Sequence, residues 1–123
     1  MRSNNELVAT NVLSSGTSYS NVMLSEQWIR SSFQMSCGSG SINGTFTVQV
    51  SNDFPVGTPP YQFSPANWNS IGTASVTCSL TGAAGICVII PYFETCYKWH
   101  RVQFVPTTSA QGWYNIRVET RNL

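Results

Sequence analysis

The chain has 123 residues, a formal net charge of +1 and only 9 % charged residues, against about 25 % in an ordinary soluble domain. One lysine, Lys98, and five scattered arginines make no cationic cluster to neutralise phosphates, which excludes a nucleic-acid partner. No apolar run reaches the roughly 18–20 residues of a membrane span, and polar Met1-Arg2-Ser3-Asn4-Asn5-Glu6 precedes no secretory apolar stretch.

The length suits a single domain over residues 1–123 with one core, residues 1–25 forming an extended arm plus a first strand. Ser, Thr, Asn and Gly, at 17, 12, 10 and 9 residues, supply the polarity that charges do not. Such a surface suits an extracellular or virion β protein better than a cytosolic enzyme. A β domain without a leader is explained by release on host lysis or by membership of a longer fibre.

In chain order, Leu7–Leu13 reads as a first strand and Ser14–Ser18 as a loop. Tyr19–Met23 continues as strand or arm. Trp28–Met35 alternates and reads as a strand, and Cys37-Gly38-Ser39-Gly40-Ser41 reads as a flexible turn. From Thr45 to Val50, Phe46, Val48 and Val50 share one face and Thr45, Thr47 and Gln49 the other, the period of a half-buried strand. Residues 53–67 hold Pro55, Pro59, Pro60 and Pro65, which predicts a stiff surface loop carrying Phe54, Tyr61 and Phe63. Ala74–Leu80 and Gly85–Ile90 are predicted to pair as a hairpin, and Tyr97–Val105 and Trp113–Thr120 to close the domain. The sum is an all-β fold, a single antiparallel, jelly-roll-like β-sandwich of seven or eight strands. Its expected core is Phe46, Val48, Val50, Val76, Leu80, Ile89, Val102, Phe104, Ile116 and Val118.

The run Gly44–Asp53, then Trp68 in Asn67-Trp68-Asn69, then Tyr97-Lys98-Trp99-His100-Arg101-Val102, then Gly112–Val118 resembles small β-sandwich structural proteins of tailed phages and related fibre-tip modules. The resemblance covers about residues 40–120. It implies a non-enzymatic virion component, a capsid decoration or tail accessory protein.

Catalytic and cofactor chemistry find little footing. His100 is the sole histidine, and a strand position at a surface or subunit contact accounts for it better than a general base or metal ligand. The acids Glu6, Glu26, Asp53, Glu94 and Glu119 form no motif, so no carboxylate pair or calcium loop is read. Asp53 suits an Asx turn. The four cysteines match no zinc spacing. A two-residue turn at Gly82-Ala83 sets Cys78 opposite Cys87, where a disulfide fits, and reduced buried thiols fit equally. Cys37 and Cys96 are expected to be unbridged. No cofactor or metal is expected.

Two binding readings follow. Ile86, Val88 and Ile90 fall on the face of the expected hairpin opposite Cys87 and Ile89, so a neighbouring subunit covers them, unless they form a central strand under a loop. With Tyr61 and Phe63 they are the interface candidates of a homo-oligomer, a trimer as first expectation, seated among capsid or tail proteins of a virion assembled in the host cytoplasm. The alternative is an extracellular glycan- or receptor-binding tip module of a fibre or adhesin, with Trp68 or Trp113 and Tyr61 as its platform; the same rings suit core packing or pinning of the proline loop.

Overall fold

The computed structural model describes residues 3–13, 15–24, 30–52, 55–56, 64–65, 67–81, 87–94, 99–107 and 112–121. Among them are ten strands and no helix. The strands are β1 (Ser3–Leu13), β2 (Ser18–Tyr19), β3 (Met23–Leu24), β4 (Arg30–Ser51), β5 (Pro55–Val56), β6 (Ser64–Pro65), β7 (Asn69–Thr81), β8 (Cys87–Glu94), β9 (Trp99–Pro106) and β10 (Gly112–Arg121). Every pairing is antiparallel. The fold is the expected all-β antiparallel sandwich.

Its organising element is β4. Residues 30–40 pair with β10 and β8, and β10 with β1, giving one sheet, A. Residues 41–51 pair with β7 and β9, and β9 with β2 and β3, giving the other, B. The expected turn at residues 37–41 is therefore a bend inside one 22-residue strand. Gly40 takes φ 70° there, a left-handed conformation that only a residue without Cβ adopts readily. The bend also shifts the phase. Ser31, Phe33, Met35 and Cys37 are buried before it and Ile42, Gly44, Phe46 and Val48 after it, with Gly38, Ser39 and Gly40 exposed between.

The two halves close on a core where Phe46 and Phe104 of sheet B meet Tyr114 of sheet A. Centroid separations are 4.7 Å for Phe46–Phe104 and 5.2 Å for each contact with Tyr114. The buried Tyr114 hydroxyl is satisfied by Ser18 Oγ at 2.6 Å. Of the expected core, Phe46, Val48, Val50, Leu80, Val102, Phe104, Ile116 and Val118 are buried and Val76 packs partly against them. Ile89 pairs with Gln34 through β8, and its side chain lies outside the described ones.

Several expectations are corrected here. Strands β7 and β8 do not form the expected hairpin. Each pairs with a different half of β4, which places Cys78 opposite Gly44 and Cys87 opposite Ser36. Cys78 is a free thiol, as is Cys37, so the Cys78–Cys87 bridge is not formed. Burial pushes both thiols up, and the nearby Cys37 adds to the effect at Cys78.

The N-terminal segment holds the expected first strand. Strand β1 runs along β10 with Val8 and Ala9 buried. Ser20 exchanges two hydrogen bonds with Val102, its N–H donating to Val102 O at 2.9 Å and its side-chain Oγ accepting from Val102 N–H at 2.8 Å, while Asn21 N–H reaches Val8 O at 2.9 Å. The segment thus ties sheet B to sheet A. Within the proline-rich stretch, Pro55–Val56 and Ser64–Pro65 pair as a two-stranded ribbon, which an edge without neighbours on both sides permits.

Candidate functional site

Period-two alternation gives sheet B an outer face made of Thr45, Thr47 and Gln49 from β4, Ser70, Ser75 and Thr77 from β7, and Arg101, Gln103 and Val105 from β9. Its rungs are joined side chain to side chain. Thr45 Oγ1 lies 3.0 Å from Thr77 Oγ1, and Thr47 Oγ1 lies 3.1 Å from Ser75 Oγ. Gln49 Nε2 donates to Ser70 Oγ at 3.3 Å, and Arg101 Nε donates to Gln49 Oε1 at 2.9 Å.

Arg101 also anchors the aromatic part of this face. Tyr19 approaches from β2 on one flank of β9, and Trp68 from just ahead of β7 on the far flank. The guanidinium carbon sits 3.9 Å from the Tyr19 centroid and 4.2 Å from the Trp68 centroid, distances at which a cation is held by both ring faces. Burial pushes the Arg101 pKa down, and the Tyr19 ring hydroxyl opposes that shift. Tyr19 remains 43 % exposed. Asn67 and Asn69, the chain neighbours of Trp68, line a hollow of about 410 Å³ together with Val50, Ser51, Asn52, Ser70 and Ile71. Amides and hydroxyls next to aromatic faces can hydrogen-bond a neutral polar ligand by its edge while stacking on its apolar side.

The other residues singled out from the sequence fall elsewhere. Trp113 is 43 % exposed, but it belongs to the outward row of β10 on sheet A, across the sandwich from Trp68. The two tryptophans form no joint platform. Tyr61, Phe63 and Ile86 lie outside the described residues. Ile90 is 1 % exposed and sits opposite Phe33 in the core; Val88 pairs with Met35, and its side chain lies outside the described ones. The outward apolar row therefore does not exist at Ile90, because β8 lies in sheet A beside β4 rather than alone with β7.

His100 is 1 % exposed rather than at a surface, edge-on to Phe33 with centroids 6.0 Å apart. Desolvation pushes its pKa down to about 4, so the imidazole is neutral at pH 7. It borders a cavity of about 280 Å³ between β1, β3, β9 and β10 that Glu6, Asn21 and Thr120 also line. Among the described residues no three His, Cys, Asp or Glu side chains cluster as metal ligands, and no helix is long and apolar enough to cross a membrane.

No protein-family model matches the chain, nor does any curated protein. Solved structures do. The SPBc2 prophage-derived protein YomS superposes with a TM-score of 0.54 at 6 % identity, over 98 % of this chain and 95 % of that one. Tripeptidyl peptidase 2 superposes at 0.53 with 13 % identity over 91 % of this chain, which spans only 9 % of that protein. A chitosan-binding module from a Paenibacillus sp. IK-5 chitosanase/glucanase reaches 0.44 at 19 % identity, too loose to bear on function. The likeness shows the fold, that of a small β-sandwich module.

Proposed function

We propose that this chain is a non-enzymatic binding module that recognises a glycan on the outer face of sheet B. The observation that carries this reading is the Tyr19–Arg101–Trp68 stack beside the hollow lined by Asn52, Asn67 and Asn69. A sugar ring presents apolar C–H faces and a hydroxyl edge. It is bound by an aromatic face for the one and by fixed amides and hydroxyls for the other. The hydroxyl ladder through Thr45, Thr47, Ser75 and Thr77 extends that surface without charge. The module works without catalysis or cofactor, in an extracellular setting or at the tip of a virion fibre.

A structural role in a tailed-phage virion, as a self-assembling decoration or tail accessory subunit, is the second reading. The end-to-end superposition on a prophage-derived protein favours it. The two meet in a receptor-binding component of a phage particle.

Glycan-array binding with isothermal titration of the hits tests the first reading. Trp68→Ala is expected to weaken binding by at least about tenfold, whereas Trp113→Ala, on the opposite side of the sandwich, leaves it unchanged. Loss with Trp113→Ala and not Trp68→Ala, or no glycan binding at all, would overturn it. A monomer in sedimentation that ignores capsid and tail proteins would remove the second.

A further inference from the structure

We infer that the ligand of this face is an anionic glycan, a sugar unit bearing a carboxylate or phosphate that docks on the free edge of the Arg101 guanidinium. This deepens the glycan-binding reading and rests on it. Three observations converge on Arg101. It is the one charged side chain on the outer face of sheet B among the described residues. Its partners are all neutral: two aromatic rings and the Gln49 amide oxygen, with no described carboxylate paired to it. It is also half-buried, and its depressed pKa reflects the water already stripped from it.

A half-buried cation in a protein is ordinarily neutralised by an acid of its own chain. Here the charge is positioned, and no acid among the described residues compensates it. The rings bracket the guanidinium from both flanks and Gln49 occupies Nε, so the two terminal nitrogens are what remains for a further partner. That edge is a planar two-donor fork, the shape that matches the paired oxygens of carboxylate or phosphate. Asn67 and Asn69, which flank Trp68 in the chain, put the amide-lined hollow next to this fork. One ligand can therefore set its sugar ring against the aromatic and amide part and its anionic group against Arg101.

The test is titration of the full chain with three anionic probes, a sialylated oligosaccharide, a uronic-acid oligosaccharide and a sugar-phosphate polymer, each beside its neutral parent, at low and high salt. At least one anionic probe is expected to bind about tenfold or more tighter than its parent, with the advantage shrinking as salt rises. Arg101→Gln should lower that affinity between about tenfold and a hundredfold, the range of a charged hydrogen-bond pair. Arg101→Lys should recover only part of it. Which probe wins identifies the anion. Neutral parents binding as tightly as their anionic partners, insensitive to salt, would overturn the inference while leaving glycan binding in place. Silence of every probe, charged and neutral, would remove both. The comparison on the unmodified protein needs no variant, so a poorly folding Arg101→Gln does not blunt it.

Discussion

Acidification should destabilise this fold through His100, and a His100→Gln variant should not share the effect. The unfolded chain protonates this imidazole near 6.5, whereas the folded protein does so only at about 4. Between these values the unfolded state holds the extra proton, so stability rises with pH. The contribution is complete above about pH 6.5 and disappears progressively as pH falls toward 4. At 1.36 kcal/mol per pKa unit the shift amounts to about 3 kcal/mol, a large share of the ~5–15 kcal/mol expected for a domain. The physical cause is desolvation: His100 stands between Val50 and Met23 in sheet B and edge-on to Phe33, with the carboxylate-bearing Glu6 on the same cavity. Urea titrations at closely spaced pH values measure the slope. Carboxylates add their own dependence toward pH 4, so the readout is the difference between wild type and His100→Gln. Parallel loss of stability in both proteins between pH 6.5 and 4.5 would refute the reasoning.

Phe104→Ala removes one ring of the Phe46–Phe104–Tyr114 cluster and should cost ~3–5 kcal/mol in denaturant melts; a loss under ~1 kcal/mol would mean the site collapses without a cavity. Gly44→Ala places a methyl against the Val105 carbonyl and 2.7 Å from the Phe104 ring. Because one of those neighbours is backbone, the cost should reach about 3 kcal/mol, the upper end for overpacking, read as a lower urea midpoint with unchanged slope.

Much of the fold was legible where alternation is uninterrupted. The Thr45–Val50 pattern, the Val102–Phe104 pair and the Ile116–Val118 pair all face inward as their period requires. His100 obeys the same period as Val102 and Phe104, so its burial was readable, although an ionisable side chain is ordinarily expected at a surface. The bend at Gly40 was not readable. A Gly- and Ser-rich stretch codes for a chain reversal and for a kinked strand with the same residues, and only the partners waiting on each side decide. The same holds for β7 and β8: two consecutive strands near a glycine pair suggest a hairpin, but each found a better neighbour in β4. The site suffered most. Trp68 was visible as a candidate, whereas its meeting with Tyr19 and Arg101 follows from the order β2–β9–β4–β7, which no local pattern encodes.

The pairing of β1 with β10 has a mechanical consequence. Ser3 lies opposite Arg121, and the two strands run antiparallel from there. Backbone hydrogen bonds in such a ladder lie across the strands. A pull that separates residue 3 from residue 121 therefore meets them one at a time and peels β1 away like a zip. A pull entering at residue 3 and leaving at residue 40, which pairs with Gly112 at the other end of β10, instead loads both ladders along their length. The domain is soft along one axis of tension and stiff along another, and which of them it feels depends on where it is held.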